Sequence, residues 1–205
     1  MESLLDTLDN NKPLTVARRH QVVETLHGMA HTISALTMII NRSVDASKSI
    51  SSSDRGFVPN KVPVDLEQVM DEVMAFSKWQ ADGTGIEVVM EPLPADLPDE
   101  ILMDEKWLKD DLLCLAGNAV KHCRANQGVP ALLRIAIVPS PTDEKANLPS
   151  SPSVQFSFID SGYPLSDERL TNLFDRPVHS ERMLIGGMGL GLYCLSEHMQ
   201  ALQVC

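Results

Sequence analysis

The chain is short of several features that would send it towards common functions. Its four cysteines (Cys114, Cys123, Cys194 and Cys205) show neither a C-x-x-C pair nor the spacing of a zinc site. Scattered thiols of this kind suit a reducing, cytoplasmic setting. Basic residues are outnumbered: 17 Lys and Arg against 28 Asp and Glu leave a formal net charge of −11. A surface of that sign repels a phosphate backbone, which argues against nucleic acid as a partner. Any anionic ligand must be held by local devices such as amides, a lysine or a metal. No apolar run is long enough to span a bilayer, and the acidic opening MESLLDTLDNN is no secretory signal. The chain therefore reads as soluble, and a longer membrane-anchored parent is compatible with that. Internal repeats are lacking too.

What is there suits a globular protein with a sizeable core and an appendage: 205 residues, 43% hydrophobic and 22% charged. Residues 15–48 predict one long helix. Leu26, Ile33 and Ile40 recur at heptad spacing, with Met29, Leu36 and Ser43 as a second series. Such a seam serves a two-helix hairpin or a coiled-coil dimer. The polar stretch SKSISSSDRGFVPNKVP reads as a linker. Asp65 predicts an N-cap for a helix over 66–78, striped by Leu66, Val69, Met70, Val73 and Met74. ADGTG reads as a turn, IEVVM as a short strand and EPLPADLPDE as a proline-broken loop. A second helix is predicted from Trp107 to about His122, with Leu108, Leu112, Leu115 and Ala119 facing inward. LLRIAIV reads as a buried strand, PSPTDEKANLPSSPS as a polar hairpin insert, and VQFSFID as an antiparallel partner strand. The expected fold class is α+β: a two-layer sandwich with helices on one face of a mixed sheet, preceded by a long helix. The corresponding division is a helical segment over 1–50, a linker over 51–64 and the sandwich over 65–205.

Three stretches carry candidate chemistry: LLCLAGNAVKH (Leu112–His122), FIDSG (Phe158–Gly162) and GGMGLGLYCL (Gly186–Leu195). In the last, Gly187, Gly189 and Gly191 alternate with Met188 and Leu190 ahead of an apolar, helix-forming segment. Glycines there let backbone amides approach phosphate oxygens, and a helix N-terminus adds partial positive charge. The spacing is G-x-G-x-G and comes late in the chain, so a dinucleotide-binding turn is a poor match. Asn118 and Lys121 share a helix face, where an amide carbonyl suits magnesium and an ammonium suits phosphate. Asp160 stands at a strand end, placed to accept from the exocyclic amine of a base, with Gly162 letting the base lie close. Each has a plainer reading: a solvated Asn-Lys pair, and an ordinary Asp-Ser-Gly turn. Together they point to a cleft for a nucleotide and its magnesium ion. Among the histidines weighed (His20, His27, His31, His122 and His179), His27 and His31 fall outside the heptad seam, and no third ligand accompanies them.

From Asp65 onward the chain resembles the ATP-binding domain of sensor histidine kinases, in the superfamily shared with gyrase and the Hsp90 chaperones. VDLEQVMDEV and GIEVVMEPLPADLPDEILMDEKWLKDDLLCLAGNAVKH carry the resemblance alongside the glycine box. It implies that Asn118 holds Mg2+, Lys121 contacts phosphate and His122 lies beside the nucleotide. It further implies that Asp160 and Gly162 receive adenine, and that Gly187, Gly189, Leu190 and Gly191 shape the phosphate loop. Leu173-Phe174-Asp175 resembles the hydrophobic box on the lid ahead of that loop. ESLLDTLDNNKPLT, QVVETL and IINRSVDASKSI are similar to the stretch after the phosphoacceptor box of hybrid-type kinases. In that register Met1 follows the acceptor histidine, which is then absent. The rival register makes Ala30-His31-Thr32 the box, without the acidic residue that should follow the histidine to help withdraw its proton.

The resemblance also implies ATP and Mg2+ as cofactors, a homodimer through the N-terminal helix, and a response-regulator receiver domain or an intact kinase as partner. Three departures stand out: Pro164 in place of a glycine, Cys114 where a polar or acidic group is usual, and an end at Val204-Cys205 before the last strands. The expected function is the catalytic, ATP-binding portion of a two-component histidine kinase lacking its own phosphoacceptor. The alternative is a degenerate kinase-like module that dimerises without catalysis.

Overall fold

The structure, a computed structural model, describes residues 15–51, 58–95, 97–98, 100–125, 130–139, 154–175 and 190–202. The chain divides into two compact units, residues 1–41 and 42–205. The long helix expected near the start is present as α1 (Val16–Ser51). Its heptad positions are open to solvent: Leu26 is 56% exposed, Ile33 61% and Ile40 62%, with Met29 and Leu36 similar. The seam is thus an apolar stripe that the chain does not itself cover in that unit. His27 is exposed, as its place outside the seam requires; the His31 side chain lies outside the described residues.

Beyond the end of α1, which lies in the second unit, comes β1 (Lys61–Asp65), which leads into α2 (Leu66–Ala81). Asp65 is the N-cap of α2, and its carboxylate accepts from the Gln68 backbone N–H at 3.0 Å. Asp65→Ala removes that acceptor. It should cost about 1 kcal/mol, lowering the thermal midpoint by about 3 °C, readable by calorimetry with nucleotide binding unchanged. The buried face of α2 is Leu66, Val69, Met70, Val73, Phe76, Ser77 and Ala81. A turn with Gly83 and Gly85 at positive φ then delivers the chain to β2 (Glu87–Met90).

β3 (Glu100–Asp104) runs directly into α3 (Glu105–His122), where Asp104 caps the helix by accepting from Trp107 N–H at 3.0 Å. Its other oxygen accepts from Asn60 N–H at 2.8 Å, tying the approach to β1 to the start of α3. β4 (Leu132–Pro139) and β5 (Val154–Asp160) follow, then the short α4 (Asp167–Thr171) and α5 (Leu190–Leu202).

The mixed sheet is present: β2 pairs with β4 in parallel and β4 pairs with β5 antiparallel, Leu133 opposite Asp160 and Ile137 opposite Phe156. Its face towards the helices carries Leu133, Ile135 and Ile137, which join Val69, Met70 and Val73 of α2 and Leu108, Leu112, Ala116 and Ala119 of α3 in one core. Arg134 and Val138 alternate to the exposed face, so helices cover one side of the sheet. This is the two-layer α+β sandwich.

Two strands depart from the sequence expectation. The segment read as linker contains β1, and the proline-rich loop runs on into β3. They pair antiparallel as a separate ribbon, Val62 opposite Met103 and Val64 opposite Ile101. Pro63 is tolerated because a two-stranded ribbon has only edge strands. The core repays the pairing by taking up Val62, Val64, Ile101 and Met103. The hairpin insert falls almost wholly outside the described residues. Among the described residues, no helix is long and apolar enough to cross a membrane.

Candidate functional site

Residues Trp107, Asp111, Cys114, Asn118 and Lys121 follow one another at alternating four- and three-residue steps, so they form one stripe along α3. Leu108, Leu112 and Ala119 turn from it into the core. The stripe ends at the last turn of the helix, where Asn118 is half-buried and Lys121 and His122 are exposed. Asn118 Nδ2 donates to Cys114 Sγ at 3.7 Å. That contact engages the amide nitrogen and leaves Oδ1 as the oxygen available to a hard cation. Further along the helix, Lys109 bridges Glu72 (2.9 Å) and Glu105 (3.0 Å), pinning α3 to α2. Partial burial works against the Lys109 ammonium, yet the hydrogen bonds to Glu72 and Glu105 hold its pKa above the usual range.

The end of β5 closes against the end of α3. Asp160 Oδ1 accepts from the Gly162 N–H at 2.8 Å, leaving Oδ2 for an external donor. Gly162 is a steric requirement: a Cβ there would collide with the His122 carbonyl oxygen and with Asp160 Oδ1. The sequence argument for this glycine, close approach of a base, is thus joined by a tighter one, close approach of α3. Ser161 is the residue that sequence reasoning passed over. Its hydroxyl donates to Arg124 O (2.8 Å) and accepts from Leu132 N–H (3.0 Å), while its own N–H donates to Leu132 O (3.1 Å). Buried Cys123 lies 3.4 Å from the same hydroxyl. One side chain therefore knots the exit of α3 to the start of β4, holding Asp160 beside the last turn of α3.

α5 supplies the third side. Lys61 Nζ donates to Leu202 O at 3.5 Å, and Lys61 is opposite Asp104, the cap of α3. His198 Nδ1 lies 3.0 Å from Asp111 Oδ1. The C-terminal end of α5 thus lies at the N-terminal end of α3, and the two helices run antiparallel. From His198 back to Leu190 is about 12 Å of helix, and from Asp111 forward to Asn118 about 10.5 Å. The N-terminus of α5 therefore comes level with Asn118. Gly191 is its second residue and is half-buried; Gly187, Gly189 and the Leu190 side chain lie outside the described residues.

The donor set fits a magnesium nucleotide. Among the described residues, no group of three or more His, Cys, Asp or Glu is placed to hold a metal ion by itself. A cation here would take Asn118 Oδ1 plus oxygens brought by the ligand, which is how magnesium binds beside phosphates. The expected lid box, Leu173-Phe174-Asp175, follows α4 directly, with Phe174 46% exposed. Pro164 is exposed in the coil ahead of it.

No family model and no curated protein matches the sequence. Solved structures do match. The chain is similar to full-length ShkA in complex with AMPPNP: 24% identity over 94% of this chain and 36% of that one, with a TM-score of 0.59. It is also similar to the catalytic domain of the histidine kinase ThkA in a nucleotide-free form: 19% identity over 69% of this chain and 80% of that one, with a TM-score of 0.51. The α+β fold is that of the histidine kinase catalytic domain, as the resemblance implied. The chain spans about a third of the length of ShkA.

Proposed function

We propose that this chain is the ATP-binding portion of a two-component sensor histidine kinase, with residues 1–50 forming part of its dimerisation hairpin, 51–64 the connection and 65–205 the nucleotide-binding domain. The observation that carries the reading is the seating of the Asp160–Gly162 turn against the last turn of α3. It brings the strand end that carries Asp160 to the helix end that carries Asn118, Lys121 and His122, which supports a reading of Asp160 as the group for the base, Asn118 for magnesium and Lys121 for phosphate. The bound AMPPNP of the similar ShkA structure, an ATP analogue, agrees with it. Asp160 Oδ2 receives the adenine amine, Asn118 holds Mg2+ against the phosphates, and Lys121 and the glycine box (Gly187, Gly189, Leu190 and Gly191) neutralise them. Positioning and charge neutralisation of this kind are the protein's share of phosphoryl transfer. The acceptor is a histidine nitrogen on a partner kinase, because Ala30-His31-Thr32 lacks the neighbouring acid that would prepare His31. A receiver-domain aspartate is the next station. The exposed Leu26/Ile33/Ile40 stripe supports pairing of two copies through α1.

That same stripe, with Pro164 in the lid, favours a second reading: a module that dimerises without turning nucleotide over. Calorimetric titration with a non-hydrolysable ATP analogue, with and without magnesium, separates the two. Saturable, magnesium-dependent binding is expected. A folded chain that binds nothing would leave the dimerising helix as its working part.

A further inference from the structure

α5 and the stripe of α3 meet through a polar pair that nucleotide binding leaves without a role. His198 is 1% exposed. Its Nδ1 lies 3.0 and 3.2 Å from the two Asp111 oxygens, and its ring stacks on Trp107 with centroids 4.4 Å apart and planes 5° from parallel. An imidazole and a carboxylate are costly occupants of a helix–helix contact, since each must be desolvated and kept partnered. Two aliphatic side chains would join the helices without that cost. What the pair adds is direction. A hydrogen bond and a stack together admit one rotation and one axial position of α5 on α3, whereas aliphatic ridges tolerate neighbouring registers.

The consequence is felt two turns away. Sliding α5 by one residue moves its N-terminus by about 1.5 Å and turns it by about 100°. A displacement near 1 Å is enough to spoil a site that works by alignment. We propose that the His198–Asp111 pair, stacked on Trp107, is a positioning device that fixes the N-terminus of α5 level with Asn118, so that both address the same polyphosphate. The inference rests on the nucleotide-binding reading and concerns the phosphate end alone; the base is read from β5, a different element.

The test uses the full chain with His198→Leu, Asp111→Leu and the double substitution, and Asp111→Asn as the conservative variant that keeps an acceptor for Nδ1. Four quantities are measured: the thermal midpoint, the Kd of a non-hydrolysable ATP analogue with magnesium, the Kd of adenosine, and amide exchange over residues 194–197, the first amides of α5 that bond back to its own first turn. Asp111→Leu takes the carboxylate away from the buried His198 ring, so its midpoint falls most. His198→Leu leaves the half-buried Asp111 carboxylate facing a leucine and lowers the midpoint less, and the double variant recovers part of the Asp111→Leu loss. A positioning role requires that the double variant still bind the analogue about tenfold more weakly while holding adenosine as the parent does. Its second-turn amides in α5 exchange faster, and Asp111→Asn retains most of the analogue affinity. If the double variant does not fold, the ratio of the two Kd values in the single variants decides in the same way. Equal losses for both ligands, or analogue affinity unchanged from the parent, overturn the inference and leave the nucleotide reading standing. A folded parent chain that binds neither ligand overturns that reading, and this inference with it.

Discussion

Gly162→Ala should lower both stability and nucleotide affinity, although it adds a single methyl group at a half-buried position. The new Cβ meets the backbone carbonyl of His122 and the carboxylate of Asp160. The Asp160 carboxylate can turn aside only by giving up its bond to the Gly162 N–H, and the His122 carbonyl is backbone, so full relief requires the β5 end or the last turn of α3 to move. Overpacking of this sort costs about 2 kcal/mol, about 6 °C in thermal midpoint for a chain of this size. The movement separates Asp160 from Asn118 and Lys121, so analogue affinity should fall by at least about tenfold. Gly83→Ala is the matched control. That glycine sits at φ 69° with nothing within 4 Å of the added atom. It should cost about 1 kcal/mol of backbone strain and no affinity. Equal affinity in the two variants would show that the turn–helix contact does not organise the site.

The contrast between these glycines shows where sequence reading succeeds and where it stops. Gly83 announces itself as a turn through its neighbours in ADGTG. Gly162 announces a turn just as well, but its stringent requirement comes from the carbonyl of His122, a distant residue in the chain. The elements that were legible are those whose signal is local: the Asp65 cap, the α2 stripe, the α3 stripe except that Leu115, expected inward, stays half-buried outside the core while Ala116 and Val120 fill it, the apolar run of β4 and the alternation in β5. The heptad in α1 was legible because an uncovered apolar seam has the same spacing as a covered one. β1 and β3 were not, because prolines and polar neighbours mask two short strands whose stability comes from pairing with each other. The Ser161 knot and the His198–Asp111 pair were not legible either. Asp111 reads as one more charge on an amphipathic helix, and His198 as one more polar residue in α5. Only the antiparallel packing of α5 on α3 brings them within 3.0 Å. Of the candidate site, the residue types and their order were readable, while the scaffold that aligns them was not.

Asn118→Ala should remove the magnesium-dependent part of nucleotide binding while leaving the fold intact. Asn118 is half-buried, and its side chain makes the long contact to Cys114 Sγ. Thiol acceptors are weak, so little stability is at stake, and alanine is the better helix former. The oxygen lost is, on this reading, the chain's own magnesium ligand. A charge-assisted interaction of that kind contributes about 2–3 kcal/mol, a loss of about thirtyfold or more in analogue affinity with magnesium present. In chelator the parent and the variant should bind alike, through Asp160 and Lys121. Cys114→Ser sharpens the argument: a hydroxyl accepts from Asn118 Nδ2 more strongly than a thiol, holding the amide in the same orientation. Magnesium-dependent affinity should then stay at or above that of the parent chain. If Asn118→Ala leaves the magnesium dependence intact, the cation is held by ligand and solvent oxygens alone, and the amide serves only to face α3 towards the N-terminus of α5.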